Sequence, residues 1–135
     1  MPSASALEKM IPLLNHQVFE SLFSPGPSDT PLSNPVLIAF SASWCGPCQK
    51  INWDFILDEF SSLPVYYCDI DTNKYTPGFC NIKSIPSILM LTPPKGGVKT
   101  PSNDPKLKSN VIGPFQSSDT AKICSWIQIH LKQAN

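Results

Sequence analysis

Two near-continuous apolar runs stand out along the chain. Residues 36–40 (Val-Leu-Ile-Ala-Phe) and 85–91 (Ile-Pro-Ser-Ile-Leu-Met-Leu) have the pattern of strands buried on both faces. Around them, apolar positions return at helical spacing. Val18, Phe19 and Leu22 share a face over 15–23, with Asn15 as N-cap. Ile51, Phe55 and Ile56 point inward from a helix predicted over 45–60. Ile123, Ile127 and Leu131, with Trp126, form the stripe of a last helix. Ser117 or Ser118 would cap it, and Asp119 would favour its positive end. Residues 10–14 read as a short strand that Pro12 confines to an edge. Residues 65–70 form a β-rich run ending in acidic residues, and 110–113 a short final strand. Segment 72–83 holds a short helix or a loop, and residues 1–8, small and unpatterned, read as frayed.

The order β-α-β-α-β-(α)-β-β-α is that of an α/β layer fold with right-handed crossovers. A length of 135 residues fits one domain. Of 15 prolines, Pro25, Pro27, Pro31 and Pro35 fall in a linker over 24–35. Pro93, Pro94, Pro101 and Pro105 fall in a loop over 92–109, whose Pro, Lys and Gly content predicts disorder. Ten Lys balance ten Asp and Glu, and there is no Arg. A nucleic-acid partner would call for a basic stripe. A membrane partner would call for a polybasic anchor or an apolar run of about 18 residues. Neither pattern is present, and the first ten residues lack the cationic and apolar parts of a secretory leader. Five cysteines (Cys45, Cys48, Cys68, Cys80, Cys124) make a poor disulfide framework. An odd count fits a reducing compartment, and hence the cytoplasm.

The chemistry lies in Trp44-Cys45-Gly46-Pro47-Cys48, which follows a buried strand and opens the second helix. Unpaired N–H groups at a helix start favour a thiolate at Cys45, and the thiolate is the nucleophile of disulfide exchange. Cys48 sits one turn deeper, near enough to close a disulfide and more shielded. Cys45 would attack a substrate disulfide and Cys48 would resolve the mixed disulfide. Gly46 would permit the tight turn, and Pro47 suits the first helical position. Half of a zinc site is the competing reading. It lacks a second ligand pair, since Cys68, Cys80 and Cys124 are scattered and His16 and His130 stand near opposite ends.

The pentad resembles the active site of the thioredoxin family, and Phe40-Ser41-Ala42-Ser43 before it looks like eukaryotic cytosolic members. Ile85-Pro86, 38 residues after Cys48, matches the family's cis-proline beside the active-site sulfurs. Gly113 resembles a glycine lining the family's substrate groove, and Asp69-Ile70-Asp71 the acidic end of its central strand. The resemblance runs over about 9–133. It implies a thioredoxin fold: a central mixed sheet flanked by helices, here with an N-terminal β-α extension. It also implies a Cys45–Cys48 disulfide, no bound cofactor or metal, and a monomer recharged by a thioredoxin reductase. A disulfide-containing protein substrate would lie as a strand across Trp44, Gly46, Pro47, Ile85, Pro86, Gly113 and Pro114.

Three departures from the family are visible. Its buried Asp, six residues before the first active-site cysteine, is Ala39 here, and its neighbouring Lys aligns with Tyr67. The kinking proline five residues past the second cysteine is Trp53, which predicts a straighter helix. The loop over 92–109 exceeds the family's tight hairpin by about ten residues. Cys80, six residues before Pro86, matches a regulatory cysteine of some animal members or is an inert loop thiol. Cys68 and Cys124 read as core and half-buried, and His16 and His130 as surface residues without partners. Function therefore reads first as a protein-disulfide reductase. The alternatives are a thioredoxin-like interaction subunit with minor turnover and an oxidase or isomerase of an oxidising compartment.

Overall fold

The computed structural model describes residues 3–24, 32–93 and 109–134. The linker over 24–35 and the loop over 92–109, the latter expected to be disordered, fall mainly outside the described residues. Their ends are described: Thr92 closes a strand, and Ser109 donates N–H to the Phe23 carbonyl and its hydroxyl to the Leu22 carbonyl.

Among the described residues five strands, β1 (Ile11–Pro12), β2 (Val36–Ser41), β3 (Val65–Asp69), β4 (Ser87–Thr92) and β5 (Asn110–Gln116), form one mixed sheet in the order β1-β3-β2-β4-β5. β1 and β2 run parallel to β3, while β4 pairs antiparallel with both β2 and β5. Every residue of β2 and β4 is buried, as their continuous apolar runs predict. Pleating sends alternate residues into different layers. Leu37, Ala39, Ile88 and Met90 pack with Trp53, Ile56, Ile123 and Ile127. Val36, Ile38, Phe40, Leu89 and Leu91 pack around Phe19 and Cys68.

The flanking helices are α1 (Ala4–Lys9), α2 (His16–Phe23), α3 (Trp53–Glu59), α4 (Tyr75–Phe79) and α5 (Thr120–Ala134). Helix α1 departs from the frayed start expected over 1–8. Its six residues are too few to hold alone. They are held by Ser3, whose hydroxyl caps Ala6 N–H, by buried Ala6, and by Ser3 and Ser5 hydroxyls donating to the Asp54 carboxylate on α3. Those hydrogen bonds, first that of Ser3, hold the Asp54 carboxyl below its usual range. Segment 72–83 does contain a helix, α4. Asn73 accepts Thr76 N–H and donates to the Leu13 carbonyl.

Two further boundaries differ. β5 continues past Gly113-Pro114 to Gln116 instead of ending at 113. As an edge strand it tolerates a residue without N–H, and Gly113, at φ +103°, sits at the register shift opposite the Ile88–Met90 stretch. Asp119, not Ser117 or Ser118, caps α5, accepting Lys122 N–H at 3.1 Å. Ser117 accepts Asp119 N–H one step earlier.

Candidate active site

The single helix expected over 45–60 is two pieces. Pro47–Lys50 is a 3-10 turn, Ile51 is extended (ψ 127°), and Asn52 starts α3 by accepting Phe55 N–H. The straighter helix predicted from Trp53 is thus corrected: the chain breaks without a proline. Trp53 is instead buried in the core beside Ile51.

Cys45 and Cys48 form a disulfide at the start of this turn, with Cα atoms 5.3 Å apart, inside the usual span for such a bridge. Cys48 N–H donates to Cys45 Sγ at 3.2 Å. The group that would hold a Cys45 thiolate is therefore a local N–H at the head of a four-residue turn, not a long helix dipole. Cys45 Sγ lies 3.9 Å from the Ile85 carbonyl oxygen, and Ile85-Pro86 is cis. The two cysteines, Ala42, Ile70 and Ile85 pack as one small cluster. At 4% and 2% exposure, Cys45 and Cys48 are both buried, so the expected contrast in shielding is slight. The asymmetry lies in the N–H and the Ile85 carbonyl, both at Cys45.

Trp44 is 65% exposed, and its Nε1–H donates to Asp71 Oδ2 at 2.9 Å. That bond holds it at the surface, not packed inside. Asp71's role was not visible in the sequence beyond the acidic end of its strand. Pro47 occupies the first helical position, as expected. Gly46 has ordinary right-handed helical angles (φ −60°, ψ −52°), and a Cβ there would meet nothing within 4 Å. The turn does not require glycine at that position.

Gly113 is not brought next to Pro86. Gln116 pairs with Ser87, the residue after Pro86, while Gly113 lies further along β4. A Cβ on Gly113 would come within 3.1 Å of the Ile88 carbonyl oxygen and Phe115 N, and Trp126 packs behind it. Pro114 follows Gly113 through a second cis bond. Ala39 is buried in β2, paired with Tyr67 on one side and Ile88 on the other. The two positions at which the family's Asp and Lys stand are therefore cross-strand neighbours, as the alignment implies. Burial pushes the Tyr67 phenol up, partly offset by a hydrogen bond from Ser41.

Burial pushes the Cys80 thiol up to about 12, and the Cys68 thiol likewise to about 12, so both are protonated at neutral pH. Cys68 is fully buried, as expected, and Cys124 is buried too, beyond the half-burial expected of it. Both histidines are expected at the surface without partners, and His16 departs from that. His16 bridges Thr76 Oγ1 (2.9 Å) and Glu20 Oε1 (3.0 Å) among Phe19, Tyr75 and Phe79. His130 packs on Trp126, and its Nδ1 is buried without a hydrogen-bond partner among the described residues. Among the described residues no His, Cys, Asp and Glu group could hold a metal ion, and no helix is long and apolar enough to cross a membrane.

A mixed sheet with a CxxC disulfide following β2, and the Ile85 carbonyl ahead of a cis-proline facing it, defines a dithiol-disulfide class of fold. The thioredoxin family model matches residues 27–111, and the chain belongs to the thioredoxin family. Among curated relatives, thioredoxin of Rickettsia conorii is 41% identical over 61 residues, covering 42% of this chain and 56% of that protein. An M-type chloroplastic thioredoxin of Brassica napus is 32% identical over 85 residues, covering 59% of this chain and 44% of that one. The chain thus spans about half the length of the curated relatives it matches. Thioredoxin from Trypanosoma brucei brucei shares the fold at TM-score 0.67 and 16% identity, covering 98% of this chain and 99% of that one. Oxidized mitochondrial thioredoxin 3 of Saccharomyces cerevisiae does so at TM-score 0.64 and 16% identity, covering 92% and 98%.

Proposed function

We propose that this chain is a thioredoxin-type protein-disulfide reductase, with Cys45 as nucleophile and Cys48 as resolving thiol. The observation that carries the reading is the Cys48 N–H on Cys45 Sγ, beside the Ile85 carbonyl. That N–H stabilises negative charge on Cys45 in preference to Cys48. The Cys45 thiolate attacks one sulfur of a substrate disulfide. That S–S bond breaks, a Cys45–substrate bond forms, and the other substrate sulfur leaves as a thiolate that takes up a proton. Cys48 then loses its proton and attacks Cys45 Sγ, closing the intramolecular disulfide and releasing the second substrate thiol. Two electrons pass from the protein dithiol to the substrate. A thioredoxin reductase drawing on NADPH returns them, so this chain needs no cofactor of its own.

The substrate strand runs over Trp44, Gly46 and Pro47 and pairs with Ile85 ahead of Pro86. In the register of the sheet, the rim beyond Pro86 is Gln116 sooner than Gly113. The reading places the protein in the cytoplasm as a monomer and a carrier of electrons, and treats Cys80 as an inert thiol. A reductase-coupled NADPH assay on a disulfide protein tests it. Cys45→Ser abolishes turnover. Cys48→Ser still attacks and stalls as an adduct that mass spectrometry finds on Cys45. An adduct mainly on Cys80 overturns the assignment. Turnover at background with wild type favours the interaction-subunit alternative.

A further inference from the structure

The break between the Pro47–Lys50 turn and α3 depends on one backbone hydrogen. In a continuous α-helix, Asn52 N–H would donate to the carbonyl four residues back, that of Cys48. Here Ile51 N–H approaches the Cys48 carbonyl instead, at 3.5 Å. Asn52 N–H turns away and donates to the Thr120 hydroxyl at 2.9 Å. Thr120 is the first residue of α5, whose start is fixed independently by Asp119, accepting Lys122 N–H on its side chain and Ile123 N–H on its carbonyl. Beyond the break, Asn52 Oδ1 accepts Phe55 N–H and Asn52 carbonyl accepts Ile56 N–H, which begins α3 with Trp53 turned into the core.

We propose that Thr120 is a positioning residue for the disulfide chemistry: by taking the Asn52 N–H, it keeps the Cys45–Cys48 turn detached from α3. The inference rests on the proposed reductase function of the same cysteines. Detachment matters because aligned peptide dipoles add along a helix. A helix continuous from Pro47 to Glu59 would set a larger positive field at Cys45 than the short turn does. Stabilising the Cys45 thiolate stabilises the reduced protein and makes it a weaker reductant. The surroundings of Cys45 leave the backbone in charge: Ala42, Cys48, Ile70 and Ile85 pack on it. The Asp71 carboxylate is bound to Trp44 Nε1. Lys50 closes the turn at its far end.

Thr120→Val removes the hydroxyl and keeps the branched Cβ. In that variant, Asn52 N–H can return to the Cys48 carbonyl. Cys45 alkylation by iodoacetamide should then titrate at lower pH, with the thiolate fraction at pH 6 up about threefold. The equilibrium with a glutathione couple should move about threefold toward the reduced protein, about 14 mV at 29.6 mV per tenfold. Thr120→Ser should match wild type. Thr120→Val combined with Asn52→Pro should also return to wild type. A proline has no N–H to give and clashes with the carbonyl four residues back, and extended Ile51 suits the position before it. Thr120→Val that titrates and equilibrates like wild type overturns the proposal, as does a double variant that keeps the valine shift. Should Thr120→Val not fold, Thr120→Ala carries the same expectation. The coupled NADPH assay on wild type keeps the two readings apart. Normal turnover with an indifferent Thr120 refutes this inference alone. No wild-type turnover with a titration that responds to Thr120 refutes the reductase reading.

Discussion

Restoring the family's carboxylate at position 39 is the sharpest perturbation of this core. Ala39 is 2% exposed, between Tyr67 and Ile88 on neighbouring strands, in the cluster that holds Leu37, Ile51, Trp53, Ile56 and Met90. The hydroxyls on its side of the sheet are those of Ser41, two residues on, and Tyr67, already bonded to each other. Ala39→Asp adds three heavy atoms to that space, at about 1–3 kcal/mol for crowding. Burying a carboxyl short of partners costs about as much again, even protonated. The charged form is worse. Burial raises a carboxyl pKa, by about 3 units in a site this closed. With the folded pKa above the unfolded value of about 3.9, the folded state holds the proton longer. Stability relative to wild type is therefore best below about pH 4 and falls as pH rises toward the folded pKa, by about 1.4 kcal/mol per unit. By pH 7 the added loss is about 4 kcal/mol, a large part of a domain's usual 5–15 kcal/mol. Urea denaturation of both proteins at pH 4, 5, 6, 7 and 8 measures the difference directly. A difference that stays flat across this range would refute the reasoning, because the carboxylate would then be paired or solvated. Where the variant folds, its mixed disulfide should resolve faster than wild type, which has no carboxylate to take the Cys48 proton. Slower resolution would show that position 39 does not serve Cys48.

Two glycines make an opposed pair: Gly113→Ala should cost about 1–3 kcal/mol in urea denaturation, because of its positive φ and the contacts its Cβ would make at 3.1 Å. Gly46→Ala should leave stability unchanged or raised by about 0.4–1 kcal/mol, since its angles are helical and the space is open. A loss at Gly113 below about 0.5 kcal/mol would mean that β5 is not bulged there. For the thiols, iodoacetamide at pH 8 on the reduced native protein should modify Cys45 and spare Cys68 and Cys80, whose thiols burial pushes up to about 12. Because those two values lie above the unfolded thiol's 9.0, their contribution to stability is complete below pH 9 and is lost as pH climbs toward 12. Rapid labelling of Cys80 at pH 8 would reinstate it as a reactive, regulatory cysteine.

By itself, the sequence determined the layers and the chemistry. The runs 36–40 and 85–91 are apolar on both pleat faces, the pattern of a strand between two layers, and they supplied the interior strands β2 and β4, with Ile85-Pro86 left just ahead of β4. Cys45-Gly46-Pro47-Cys48 places two thiols within bridging distance through local geometry alone, and the disulfide is where that spacing puts it. Tertiary structure decided whatever depended on a group far away in the chain. Helix α1 exists because Asp54 receives Ser3 and Ser5, about 50 residues apart in sequence. The break at Asn52 exists because Thr120 receives its N–H from across the molecule. His16 has partners because α4 brings Thr76 to it, and Trp44 is held because Asp71, two residues past the end of β3, accepts its Nε1–H. Periodicity records which face of an element is buried. It does not record which distant hydroxyl or carboxylate completes a backbone or ring hydrogen bond, because that pairing arises only when the sheet brings the two stretches together.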